Sequence, residues 1–232
     1  NKTKNDNHKS INLNILVWNV ADLPIIANPI YGHFTNKLLI VKQLSKQHKC
    51  DMICLQEGFH KTRWEHFQRP SNDNTDWMNS GLASAIITGK SQSKCIFNKY
   101  TDSAGEDSWA CKGFLHNSMI WKKYNIDKIN THLQADAIID ITKKSSLVRY
   151  RQMQTIFDYL INYIKNTQSD VIIVCGDFNH DIYADNSQLH TLTIPSEWYL
   201  VPLHNNNIGI QDKNLDNGFA ISRIPGCTLY RT

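Results

Sequence analysis

The stretch VIIVCG, Val171–Gly176, constrains this chain more than any other feature. A short apolar run, rich in β-branched side chains and closed by glycine, reads as a buried strand. The segment before it, Leu147 to Lys165, places Met153, Ile156, Phe157, Leu160 and Ile164 on one stripe at helical spacing, so a helix is predicted to deliver the chain into that strand. A second helix is predicted from Thr35 to His48, where Leu38, Val41 and Leu44 recur behind a Thr35 or Asn36 cap. Further strands are expected at Ile11 to Val20, Asp51 to Gln56, Leu82 to Thr88, Phe114 to Trp121 and Ile126 to Leu133. Interleaved strands and helices predict an α/β protein with a layered sheet core. No repeat, low-complexity tract or linker divides the chain, which predicts one domain over 11–232 behind a polar tail, disordered or processed, over 1–10. Residues 178 to 218, rich in Asn, Asp and His, read mostly as loop.

Composition narrows the partners. At 232 residues and 41% hydrophobic content the chain can bury a substantial core. A net charge of +4 suits an anionic substrate or a membrane surface and falls short of a dedicated nucleic-acid binder. No apolar run reaches the roughly 18 residues of a membrane-spanning helix. The six cysteines show neither a CxxC pair nor zinc-site spacing with histidine, which argues against a structural zinc. Cys54 and Cys175 sit in apolar runs and are expected to pack as small hydrophobes. Cys95 and Cys111 flank a polar loop and could pair in an oxidising compartment, a pairing the sequence leaves open.

Chemistry gathers where the predicted strands end. Asn19 closes ILVWN, Glu57 follows MICLQ, His132 sits in INTHLQ, and Asp177 and Asn179 fall in GDFNHD. Singly, each reads as a turn residue or a satisfied structural residue. Together they supply oxygen donors for a hard cation and one imidazole, at the strand ends where α/β sheets place ligand sites. Mg²⁺, or Mn²⁺ in its stead, suits that set, because it keeps much of its water and uses one or two carboxylates. The matching reaction is phosphodiester hydrolysis. Glu57 with Asn19 would hold the metal, His132 would hydrogen-bond the phosphate, and Asp177 and Asn179 would position the attacking water or a phosphate oxygen.

The ordered set WNV, LQE, SGLASAI, NTHLQAD and GDFNHD resembles the endonuclease/exonuclease/phosphatase superfamily, the DNase I-like proteins, over about residues 11 to 223. The resemblance implies a two-sheet α/β sandwich. ACKGFL with Lys112 and Gly113, NTHLQAD at 130–136 and VRYRQM at 148–153 are similar to the magnesium-dependent neutral sphingomyelinases. LDNGFAIS at 215–222 resembles that family's late strand, with Asn217 where an aromatic is usual. What this implies is a Mg²⁺ enzyme hydrolysing sphingomyelin to ceramide and phosphocholine at a membrane surface, with Lys112 at the substrate. Membrane contact would fall on Ile25, Ile26, Ile30 and Tyr31, residues that could equally pack inside. A nuclease or other phosphoesterase is the alternative on the same scaffold. It would want a basic stripe, whereas Lys42, Lys46, Lys49, Lys61, Arg63, Lys143 and Lys144 are scattered.

The chain also departs from the pattern. The superfamily's last signature, a Ser-Asp-His whose His is the general base, has no counterpart here, since no Asp-His dipeptide occurs. The family's Trp-Asp motif is not evident in 201–214. The expected sandwich would then lack its last strand. General acid–base assistance is worth ~10²- to 10⁴-fold, so these 232 residues are expected to fold but turn over slowly. A missing segment, a partner chain, or one of His180, His190 and His204 would have to supply the base. A catalytically inactive member serving as a binding or structural protein is the third reading.

Overall fold

Hydrogen bonding runs unbroken through the strands of a computed structural model that describes residues 11–23, 36–70, 79–92, 95–136, 144–184, 188–205 and 216–231. The side chains of Glu106, His204, Asn205, Asp216 and Asn217 lie outside that description, as do residues Ile25, Ile26, Ile30 and Tyr31. The described strands are β1 Asn12–Asp22, β2 Met52–Gly58, β3 Ala83–Ile86, β4 Lys90–Ser91, β5 Ile96–Lys99, β6 Gly113–Trp121, β7 Tyr124–His132, β8 Val171–Asp177, β9 Tyr199–Asn205, β10 Asp216–Ser222 and β11 Thr228–Arg231. Helices α1, Lys37–Gln47, and α2, Lys144–Ile164, join β1 to β2 and β7 to β8. The sheet order is β3-β2-β1-β11-β9-β10-β8-β7-β6-β4, with β5 on β6.

Alternation along the strands explains the layering. In β8, Val171, Ile173 and Cys175 point to one core shared with Leu13, Ile15 and Val17 of β1 and Met52 and Cys54 of β2. Ile172 and Val174 point the other way, to the α2 stripe of Met153, Ile156, Phe157, Leu160 and Ile164. That two-sided burial is why the run has no polar position. On the far side, Leu16 and Val20 of β1 meet Val41 of α1. The two ends of the sheet therefore face each other across a shared apolar layer, each with a helix on its outer face. Asn36 stands at the N-cap of α1, yet its side chain makes no capping bond.

Parallel pairing sets where the chemistry goes. β1 runs parallel to β2, and β7 parallel to β8, in the registers Asn19 to Gln56 and His132 to Asp177. All four strand ends that carry candidate residues thus emerge at their carboxyl ends. Gly176, at φ +148, is required here, because a Cβ would come within 1.9 Å of the Thr131 carbonyl on β7.

Three points differ from the sequence reading. Residues 178–218 hold more than loop: a 3-10 turn at Gln188–Thr191, all of β9 and the start of β10 lie among their described positions. YLVPLHN hides its strand because, of the side chains described there, Val201 and Leu203 alone are buried, and Pro202 interrupts the run. The TLYR segment, which no pattern in the sequence announces, becomes β11 and pairs in parallel with both β1 and β9. Finally, no disulfide joins Cys95 and Cys111; all six cysteines are thiols.

Candidate active site

The five strand-end residues meet. The Asn19 amide nitrogen donates to Glu57 Oε1 at 2.8 Å and to Asp177 Oδ2 at 2.9 Å. His132 Nε2 lies 3.8 Å from each of the same two oxygens. Two carboxylates from opposite ends of the sheet order therefore face one amide and one imidazole. Asn179 completes the set: its backbone N–H caps Asp177 Oδ1 at 2.9 Å and its side chain donates to the Leu133 carbonyl at 3.1 Å.

Backbone strain aims two of these groups. Glu57 has φ 55 and Asn179 has φ 50, both in the left-handed region. Asn tolerates that region, whereas for Glu it costs about 1–2 kcal/mol, held in place by its surroundings. The surroundings are a loop lock around Gly58. Gly58 N–H bonds the Gly81 carbonyl at 2.8 Å, and Arg69 holds the Gly58 carbonyl at 2.7 Å and Asn79 at 3.1 Å. Gly81, at φ +66, admits no side chain, since a Cβ would strike the Phe59 ring at 2.9 Å. The SGLASAI motif thus serves the Glu57 turn.

Electrostatics follow from burial. Burial raises the Glu57 carboxyl above its ordinary range, and the charge of Asp177 adds to this, against the Asn19 hydrogen bond and Lys112. Burial, then the Lys112 charge, hold His132 well below the usual imidazole value, so its ring is neutral. With Nε2 facing two carboxylate oxygens, the proton belongs on Nε2, and Nδ1 is buried without a hydrogen-bond partner. Burial also lowers the Lys112 ammonium.

Lys112 itself is buried, its Nζ 3.2 Å from the Leu133 carbonyl and 3.2 Å from Asp107 Oδ2. Asp107, which sequence reasoning missed, also accepts from the Ala135 N–H at 2.6 Å. It sits in a 3-10 turn, Gly105–Trp109, with no apolar period to reveal it. Gln134 bonds both Ala104 backbone groups, at 2.9 and 3.0 Å, and donates its backbone N–H to Gln152 Oε1 at 2.8 Å. Arg149 reaches the Gln134 carbonyl at 3.0 Å and Asp136 at 2.6 Å. The ACKGFL, NTHLQAD and VRYRQM motifs are thereby one scaffold that fixes the His132 strand end. Of the alternative bases, His180 and His190 are exposed, His180 lining a cavity of about 220 Å³ with Leu133, Arg149 and Tyr150, and the His204 side chain is outside the described residues.

Mg²⁺ fits this donor set. Among the described residues no three His, Cys, Asp or Glu side chains are arranged to enclose a metal. Mg²⁺ does not ask for that, because one or two carboxylates and its own water suffice. Glu57 and Asp177 provide two converging anionic oxygens with a single amide between them. Asn19 turns its nitrogen to them and its oxygen to the Ala21 N–H, at 3.0 Å, so in this arrangement it spaces the carboxylates and does not offer a ligand oxygen.

No protein-family model matches the sequence, and no curated protein matches it. Solved structures do match. A β-hairpin deletion mutant of beta toxin from Staphylococcus aureus aligns at TM-score 0.72 and 18% identity over 94% of this chain and 91% of that one. Sphingomyelinase C from Streptomyces griseocarneus aligns at 0.57 and 16%, over 75% and 65%. TDP2 from C. elegans aligns at 0.56 and 13%, over 90% and 64%. The aligned region likewise spans 65% of SmcL, and a beta toxin mutant has been crystallised with bound magnesium ions. At such identities the likeness establishes the fold, which is DNase I-like as the motifs implied.

Proposed function

We propose that this chain, on its DNase I-like fold, is a Mg²⁺-dependent phosphodiesterase, with Mn²⁺ as a substitute metal, that hydrolyses sphingomyelin to ceramide and phosphocholine at a membrane surface. The observation that carries the reading is the convergence of Glu57, Asp177, Asn19 and a neutral His132 on one point. Glu57 would hold the ion, with Asp177 beside it and Asn19 keeping the two carboxylates apart. Bound there, Mg²⁺ supplies positive charge to a phosphoryl oxygen. His132 donates Nε2–H to the phosphate, a role its neutral state allows without the cost of a buried cation. Asp177, oriented by the Asn179 N–H, receives the attacking water. Lys112, occupied by Leu133 and Asp107, acts on the phosphate through its charge more than by contact. Water adds to phosphorus, the bond to the ceramide oxygen breaks, one water proton ends on that oxygen to release ceramide as its alcohol, and phosphocholine remains as the phosphoryl product.

The sphingomyelin assignment, over nucleic acid, rests on the ACKGFL, NTHLQAD and VRYRQM resemblance and on the fold shared with a sphingomyelinase C. The absence of an Asp-His pair favours a second reading, a member that binds without turnover. The test is phosphocholine release from sphingomyelin vesicles against nicking of supercoiled plasmid, each with Mg²⁺ and with Glu57→Gln as the blank. Slow release above the blank, exceeding plasmid nicking, is expected. Dominant nicking would reassign the chain to the nucleases, and Mg²⁺ binding with neither product would make it the binding member.

A further inference from the structure

We propose that Lys37, the first residue of α1, is a positioning residue for Asn19, acting through the Ala21 peptide, and so sets the metal affinity of the site. This rests on the Mg²⁺ reading above.

The strand that carries Asn19 is irregular where it meets the site: β1 shifts register against β2 between Asn19 and Asp22, and Ala21 has φ 46. A left-handed alanine is strained and has no side chain whose hydrogen bonds could offset that strain. The distortion has one visible product. It turns the Ala21 N–H back to the Asn19 carboxamide oxygen, at 3.0 Å, which forces the amide nitrogen toward Glu57 and Asp177. The other side of the same bulge is held by Lys37, whose Nζ donates to the Val20 carbonyl at 2.7 Å and to the Ala21 carbonyl.

Lys37 is itself badly placed for helix stability. A cation at a helix start opposes the macrodipole, and no acidic residue offsets it in the first turn. Burial lowers its ammonium from the ordinary value, with Asp22 and Glu57 pulling the other way. Two locally unfavourable features, a left-handed alanine and a lysine at a helix start, thus meet at one pair of carbonyls. Local stability explains neither. Control of the Asn19 carboxamide accounts for both, in the way outer partners commonly orient the groups around a metal.

The experiment uses the full 232-residue chain as wild type, Lys37→Met, Lys37→Gln and Lys37→Arg. Calorimetric titration with MgCl₂ reads affinity, and hydrogen exchange of the Ala21 amide by NMR reads the Asn19 contact without any metal. Lys37→Met is expected to weaken Mg²⁺ binding about tenfold, the low end of what losing a direct partner of a ligand costs, because Lys37 acts through Ala21 and Asn19. Its Ala21 amide should exchange about tenfold faster, the equivalent of one lost hydrogen bond. Lys37→Arg, which can still donate to both carbonyls, should restore both readings, whereas a merely structural lysine would not link them. If Lys37→Met does not fold, Lys37→Gln is read in its place and should shift both quantities in the same direction. Wild-type affinity together with wild-type exchange in the Met or Gln variant overturns the proposal. Should the wild type bind no Mg²⁺, the metal reading fails, and the Ala21 exchange rate still decides whether Lys37 positions Asn19.

Discussion

Two acidic sites in this molecule, one around Asp127 and one around Glu57 and Asp177, are built in opposite ways. Asp127 of β7 sits under α2 with its carboxylate surrounded: Ser118 and Ser169 donate to it, and His116 Nε2 lies 3.2 Å from Oδ1. The His116 ring is itself held by the Tyr159 hydroxyl at 2.6 Å. Burial pushes the Asp127 carboxyl up, but His116, Ser118 and Ser169 outweigh it and keep the group below its ordinary range. Glu57 and Asp177 share one amide nitrogen, and no imidazole nitrogen comes within bonding distance. Burial accordingly leaves Glu57 raised. An acid that holds the fold together is satisfied by the chain alone, whereas acids that serve a ligand are left short of positive charge.

The sharpest break of that comparison is Glu57→Gln, which should lower Mg²⁺-dependent hydrolysis on the order of 10³-fold while the far-UV circular dichroism stays that of the wild type. Retained turnover would remove Glu57 from the site. Asp127→Ala should do the reverse. Chemical denaturation should show a loss of about 3 kcal/mol from the orphaned His116, with Mg²⁺ affinity unchanged. A Mg²⁺ affinity that fell with it would mean the two acid groups are coupled.

Metal addition gives the next effect in size. At a hundredfold excess over its dissociation constant, Mg²⁺ should stabilise the wild type by about 2.7 kcal/mol and leave Glu57→Gln unmoved, as read by denaturant midpoints. The smallest effect is on acid stability. Because the Asp127 carboxyl is depressed in the fold, its contribution is complete above the unfolded carboxylate value of about 4 and is lost as pH falls through the lower folded value. Asp127→Asn should flatten that part of the stability curve, and an unchanged acid limb would show that other carboxylates dominate it.

Much of this was legible in the order of residues. The burial of VIIVCG, the α2 stripe and the polar residues closing four strands all follow from local pattern, which reports burial because side chains alternate in strands and repeat near 3.6 in helices. Those positions alone were enough to nominate Asn19, Glu57, His132, Asp177 and Asn179. Strands β9 and β11 were not legible, because each is short and half-exposed and becomes a strand only through its neighbours. The tertiary structure alone also decided that Asn19 turns its nitrogen to the acids, that Lys112 is occupied by Asp107 and Leu133, and that Lys37 grips the β1 bulge. Such contacts join residues far apart in the chain and depend on backbone turns of a few tens of degrees. Periodicity records which face a residue occupies and carries nothing about which atom it meets there.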